Sequence, residues 1–187
     1  VRYIFGADRT PVTGQAAREV CPSVTTTYDA YYHTYPLTST NALSQTTQTA
    51  YDYSLGVATS ITDPNSVTTS ATYDSLGRTL KVIAPGDTEI SPTLSITYYD
   101  TRVPYQVVLN QKVNDSGAFI RLSHFYNGLG SLIQTQTIGA VVNGSQVNTV
   151  IDKQYDNMSR LKKETVPYTS AYTASPTFIG QTFSQAN

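Results

Sequence analysis

Charge is scarce in this chain. Asp, Glu, Lys and Arg supply 13% of its 187 residues, against about 25% in an ordinary soluble domain. Twelve Lys and Arg face thirteen Asp and Glu, for a net charge of −1, so there is no basic field to draw in nucleic acid or an anionic membrane surface. The single cysteine, Cys21, permits neither an internal disulfide framework nor a cysteine-built zinc cage. No stretch approaches the roughly 18 apolar residues of a membrane-spanning helix, and no basic start leads into the apolar core of a signal peptide. Metal-ligand spacings and phosphate-loop glycine patterns are missing. No cofactor, no metal, no nucleic acid and no membrane span are therefore expected. The chain opens on Val1 instead of Met, which reads as a piece of a longer protein.

Tyrosine, by contrast, is plentiful: fifteen residues, with no tryptophan beside them. Together with abundant Thr and Val it favours extended structure over helix. The tyrosines also recur in a fixed company. Tyr followed by Asp or Asn occurs at Tyr28-Asp29, Tyr51-Asp52, Tyr73-Asp74, Tyr99-Asp100, Tyr126-Asn127 and Tyr155-Asp156, at spacings of 23, 22, 26, 27 and 29 residues. Three copies share closely related text, YDSLGR at 73–78, YNGLGS at 126–131 and YDNMSR at 155–160, and YDYSLG at 51–56 carries one inserted residue. Self-similarity at such a period marks a repeat architecture.

Turn chemistry explains the letters. A type I turn favours Asp or Asn first, because the side-chain oxygen accepts from a backbone N–H two residues ahead, and Gly fourth, where φ is positive. Asp74 with Gly77 and Asn127 with Gly130 meet both demands. A type I turn closed by a left-handed glycine bulge joins two antiparallel strands. The same geometry sets Asp74 against Arg78 and Asp156 against Arg160 as cross-strand ion pairs. In the third copy both charges are lost together, to Asn127 and Ser131. Ser159 occupies the glycine slot of the last copy, where a left-handed residue other than glycine is strained.

A second series of turn signals lies between the tyrosine copies: Asp63-Pro64-Asn65-Ser66, Pro85-Gly86-Asp87, Asn114-Asp115-Ser116-Gly117 and Val142-Asn143-Gly144-Ser145. Each period thus holds two strands and two turns. The runs at 67–73, 94–99, 105–110 and 147–155, rich in β-branched and aromatic residues, read as strands. TYDAYYHTY at 27–35, which also has helical spacing among Tyr28, Tyr31, Tyr32 and Tyr35, reads as a strand because it keeps the tyrosine register. GQAAREV at 14–20 reads as one short helical turn. The expected fold class is all-β: an antiparallel meander of consecutive β-hairpins, about ten strands spanning roughly 48 Å, curled into a strip that forms part of a shell.

The phrases YDSLGRTLKVIAPGD, YDYSLGVATSITDPNSVTTSATYD and FYNGLGSLIQTQT resemble the Rhs/YD-repeat family, found in bacterial polymorphic toxins, in the shell components of insecticidal toxin complexes and in the teneurins. The resemblance covers residues 25–168, after an opening segment at 1–24 that is partly irregular and before a polar tail, or the start of a further repeat, at 169–187. It implies a β-strip spiralling into a hollow shell that encloses a toxic C-terminal cargo domain, in a large secreted or cell-surface protein. The family's paired Asp-Pro-x-Gly motifs, tied to self-cleavage, are not reproduced: Asp63-Pro64-Asn65-Ser66 has Ser in the glycine position and no second copy. About five or six repeats are fewer than a closed shell needs.

Catalysis is not expected. Cys21, His33 and His124 are the available nucleophile and bases, and nothing in the local sequence places them together. The residues assigned a role are those of the repeat turns, Tyr51, Asp52, Gly56, Tyr73, Asp74, Gly77, Arg78, Tyr126, Asn127, Gly130, Tyr155, Asp156 and Arg160. The expected function is a non-enzymatic structural segment of a toxin-related shell that encapsulates or displays cargo, its partners being the rest of the shell and that cargo. The alternative is a cell-surface adhesion module binding glycans or a protein through exposed tyrosines, with Tyr31 and Tyr32 as the candidate glycan contacts.

Overall fold

The structure is a computed structural model that describes residues 23–114, 118–173, 175 and 177–180, with backbone alone for 140–142. The short helical turn expected at 14–20, and Cys21, lie outside the described residues. Within them the chain is all-β. Thirteen strands form one antiparallel sheet: β1 (Thr25–Tyr28), β2 (Pro36–Thr40), β3 (Thr46–Asp52), β4 (Val57–Thr62), β5 (Thr68–Tyr73), β6 (Thr79–Ile83), β7 (Leu94–Tyr99), β8 (Tyr105–Lys112), β9 (Phe119–Tyr126), β10 (Leu132–Val142), β11 (Ser145–Tyr155), β12 (Leu161–Glu164) and β13 (Tyr168–Ala171). Strand order follows chain order from β1 to β12, with β13 beside β11. This is an open meander of consecutive hairpins, of thirteen strands where about ten were expected. No helix among the described residues is long and apolar enough to cross a membrane.

Two compact units divide the chain. The first comprises the described part of Val1–Ala50 with Ile61–Val67, and the second Tyr51–Ser60 with Thr68–Asn187. In the first, β1 pairs β2 from Thr25 opposite Thr40, and β2 pairs β3 from Thr38 opposite Gln48. Threonines dominate these strands because a branched Cβ suits the pleat. Their hydroxyls also meet across it, Thr27 with Thr38 at 2.6 Å and Thr40 with Thr46 at 2.8 Å.

The stretch 27–35 is strand only as far as Tyr28. Asp29 ends it. Its carboxylate accepts from the backbone N–H groups of Tyr31, Tyr32, Thr34 and Tyr35, offering that backbone a local partner in place of a ladder. The chain turns back with His33 at φ 54°.

In the second unit β8, β9, β10 and β11 form the longest ladders, with Phe125 facing Gln106 on one side and Gln134 on the other, and Gln134 facing Asp152. Alternation puts Gln106, Val108 and Asn110 of β8 on one face with Arg121, Ser123 and Phe125 of β9, Gln134, Gln136 and Ile138 of β10, and Asn148, Val150 and Asp152 of β11. Every buried side chain described in this unit lies on that face. The buried apolar ones are Phe125 and Val150, and the buried polar ones are Gln106, Ser123, Gln134, Gln136, Asn148 and Asp152.

After β13 the chain doubles back across this polar face. Phe178 packs on Phe125 with ring centroids 5.8 Å apart. The backbone of Ile179 pairs with the carboxamide of Gln134, donating at 3.1 Å and accepting at 2.9 Å, and the carbonyl of Thr177 accepts from Gln136 at 2.9 Å.

Candidate functional site

Two features built from these residues carry the functional reading: a turn-and-clasp unit that recurs through the repeats, and the polar face beneath the returning segment.

The turn has one geometry wherever it occurs. At Asp74 the backbone N–H donates to the Arg78 carbonyl at 2.9 Å and the N–H of Gly77 donates back to the Asp74 carbonyl at 3.0 Å. One carboxylate oxygen accepts from the N–H groups of Leu76 and Arg78, each at 2.9 Å. Asn127 repeats this with Leu129, Gly130 and Ser131, and Asp156 with Met158, Ser159 and Arg160. Asp63 and Asn41 do the same in the first unit. Asp52 holds the version with one more residue, in which Gly56 N–H reaches the Asp52 carbonyl at 2.8 Å. The fourth residue is left-handed throughout, Gly77 at φ 76° and Gly130 at 78°, but also Ser44 at 61°, Ser66 at 63° and Ser159 at 59°.

In these turns the carboxylates of Asp52, Asp74 and Asp156 are held ionised. Burial opposes this at Asp74, but the Arg78 backbone N–H and guanidinium outweigh it and depress its pKa. At Asp156 the backbone N–H of Arg160 is the largest influence, again downward. At Asp52 it is the hydroxyl of Ser54, 2.6 Å away. Asp29 lies lowest, at about 2: burial pushes it up, and its four backbone donors overcome that.

Arg78 and Arg160 close salt bridges to Asp74 and Asp156 at 2.7 and 2.8 Å. Arg78 does more. Its second nitrogen reaches Asp100 at 2.8 Å, and its guanidinium lies 4.2 Å from the centroid of the Tyr98 ring. One repeat's arginine thus grips the next repeat's aspartate, whereas Arg160 is largely exposed beyond Asp156.

The tyrosines are more than packing. Tyr73 donates its hydroxyl to the Ala58 carbonyl at 2.7 Å, Tyr98 to Thr79 at 3.2 Å and Tyr155 to Leu132 at 3.0 Å. Each acceptor lies two residues after a turn glycine, Gly56, Gly77 or Gly130. Each hydroxyl therefore clasps the open end of one hairpin from the threshold of the next turn. In the Tyr98-Tyr99-Asp100 copy the clasp is Tyr98, one residue ahead of the repeat position, because neighbouring strand residues face opposite sides. Tyr99 turns instead to the polar face. Tyr51 stacks near Tyr53 at 6.5 Å. Tyr126 packs edge-on to His124 at 6.4 Å, and burial followed by the nearby Tyr98 raises its phenol pKa.

Sequence reading did not identify the clasp, which joins residues far apart in the chain, and periodicity by itself is silent about hydroxyls. It also did not identify Asn41, whose turn lacks glycine, or the buried carboxamides.

Tyr31 and Tyr32 come together edge to face, centroids 4.8 Å apart, at the tip of the Asp29 turn, with Tyr31 83% exposed. His33 is exposed in the same turn. His124 stands on β9, its pKa lowered by burial. No group of three or more His, Cys, Asp or Glu that would hold a metal occurs among the described residues.

On the polar face Gln134 uses its whole carboxamide: its nitrogen donates to Asp152 at 2.6 Å and to the Ile179 carbonyl, and its oxygen accepts from Gln136 at 2.7 Å and from Ile179 N–H. Asp152 also accepts from Tyr168 at 2.8 Å, and burial together with this bond lifts the Tyr168 phenol to about 12. Beside the returning segment a cavity of about 330 Å³ opens, lined by Thr97, Tyr99, Arg102, Gln106, Asn110 and Arg121 among others.

No protein-family model matches the chain, and no curated protein matches it in sequence. A chain in the crystal structure of TcdB2-TccC3 is similar in fold, with a TM-score of 0.64 at 17% identity over 78% of this chain. This chain spans 10% of the length of that one.

Proposed function

We propose that this chain is a non-enzymatic structural segment of an Rhs/YD-repeat β-shell, part of a large secreted or surface-delivered bacterial protein, with a toxin-related role in encapsulating or displaying cargo. The observation that carries this reading is the recurrence of one mechanical unit, an Asx turn plus a tyrosine clasp, from hairpin to hairpin. Recurrence of this kind serves extension: each hairpin presents to the next the same carbonyl and the same ladder edge, as in repeat proteins whose units contact only their neighbours. The similarity in fold to a segment of TcdB2-TccC3 and the sequence resemblance to the repeat family support it. Its test is limited proteolysis of the full-length protein that contains this segment. A cargo domain resisting digestion until the repeats unfold supports the reading; a cargo domain cut as fast as the same domain alone overturns it.

The exposed Tyr31 and Tyr32 favour a second reading, adhesion to glycans. Aromatic faces held on a rigid turn suit sugar stacking, and the Asp29 hydrogen bonds supply the rigidity. Glycan-array binding lost in Tyr31→Ala and Tyr32→Ala supports it, and an absence of binding across broad glycan classes removes it.

A further inference from the structure

Asn followed by Gly occurs twice in the chain, at Asn127-Gly128 and Asn143-Gly144. The pair is reactive because glycine has no Cβ to shield its backbone nitrogen, which can then attack the side-chain carbonyl carbon of the asparagine before it. Both glycines here are exposed, and a Cβ added at either would meet nothing within 4 Å. Access to the backbone therefore does not separate the two sites. The hold on the carboxamide does.

At Asn127 the side-chain oxygen accepts from the backbone N–H groups of Leu129 at 3.0 Å and Ser131 at 2.9 Å. These bonds fix the carboxamide over the turn, and it swings its face toward the Gly128 nitrogen only after both have broken. Asn143 lies in the other series of turns, as the first of the two loop residues between Val142 and Ser145. With Asn143 at φ 52° and Gly144 at 79°, this is the two-residue hairpin loop whose central residues are both left-handed. The backbone alone closes it. Asn143 is exposed, and its carboxamide makes no hydrogen bond among the described residues.

We propose that Asn143 is a site of spontaneous deamidation and isoaspartate formation, and that the Asx turn at Asn127 protects the other Asn-Gly pair from the same reaction. The Gly144 nitrogen loses its proton to solvent base and bonds to the side-chain carbonyl carbon of Asn143. The bond from that carbon to the amide nitrogen breaks, and the nitrogen takes up a proton and leaves as ammonia. Water then opens the cyclic imide at either carbonyl. One opening gives aspartate, and the other routes the main chain through the side chain and gives isoaspartate. Isoaspartate puts an extra methylene into the two-residue loop, so the closing pairs Val142–Ser145 and Val141–Gln146 lose their register, while Gln134–Asp152 at the far end of the ladder keeps its own.

The test is to hold the full-length protein that contains this segment, folded, at mildly alkaline pH, and to map its peptides over time by mass spectrometry with fragmentation that tells aspartate from isoaspartate. The expected result is that both products accumulate at residue 143, while Asn127 reacts about tenfold more slowly or less, because two hydrogen bonds must break before it can. In denaturant, where those bonds are gone, the two sites react at comparable rates. The aged protein loses amide-exchange protection at Ser145 and Gln146 and keeps it at Asp152. Asn143→Gln, whose side chain would have to close a larger ring, stops both the reaction at that position and the loss of protection. Reaction at Asn127 in the folded protein as fast as at Asn143 overturns the proposal, since it would show that the Leu129 and Ser131 donors do not restrain the carboxamide. So does an Asn143 that keeps its amide in the folded protein while losing it in the unfolded one.

Discussion

The phenol of Tyr73 donates to the carbonyl oxygen of Ala58 at 2.7 Å, across fifteen residues of chain. The same bond joins Tyr155 to Leu132, so the tyrosine ahead of each of these turns holds one hairpin shut as the next begins.

Removing that hydroxyl leaves a carbonyl without its partner and the ring in place. Tyr73→Phe and Tyr155→Phe are each expected to cost about 1 kcal/mol, a fall of roughly 2–4 °C in Tm for a chain of this size. Tyr31→Phe, at an exposed ring, leaves Tm unchanged. Thermal unfolding by circular dichroism checks this; Tyr73→Phe behaving like Tyr31→Phe would show that the clasp contributes nothing.

Serine sits in a left-handed conformation at Ser66 and Ser159. Ser66→Gly and Ser159→Gly should each stabilise by about 1 kcal/mol. Gly77→Ala should destabilise by a similar amount, and for conformational reasons alone: an added Cβ would meet Val57 at 3.9 Å, an ordinary contact. Denaturant midpoints that move the other way would contradict the turn geometry.

Local chemistry is where the sequence was most legible. The Asp74–Gly77 and Asn127–Gly130 turns, and Asn143-Gly144 with both residues at positive φ, follow from letters within four residues of one another. The hairpin meander follows from their order. The 27–35 stretch misled because its tyrosines keep the repeat's register while the Asp29 carboxylate captures the backbone that a strand would have used. The polar face was hidden for a different reason. No local pattern marks Gln134, Gln136 and Asn148 as buried, because their burial depends on a segment 25 to 45 residues away folding back over them.

Asp29 gives the clearest pH dependence. Its folded pKa of about 2 lies below the usual unfolded value near 3.9. Its contribution is therefore complete above that unfolded value and disappears as pH falls toward 2. Following the carboxyl carbon by NMR should give a midpoint near 2, with the N–H signals of Thr34 and Tyr35 moving together with it. A midpoint near 4 would mean that the four backbone donors do not engage the carboxylate.

Arg78 bridges two repeats, Asp74 behind and Asp100 ahead, and Arg160 serves its own turn. Lysine keeps the charge but loses the planar fork. Arg78→Lys should lower Tm, more at low than at high salt, and Arg160→Lys should have little effect. Equal responses at the two sites would remove the bridging role.

The most direct measurement is native-state hydrogen exchange before and after the chain is cut in the Asp74–Gly77 turn, at a protease site placed between Ser75 and Leu76. If each hairpin is stabilised by its own turn and its neighbours, protection should fall in β5 and β6 and persist in β9, β10 and β11. Loss of protection in all strands together would contradict a structure assembled hairpin by hairpin.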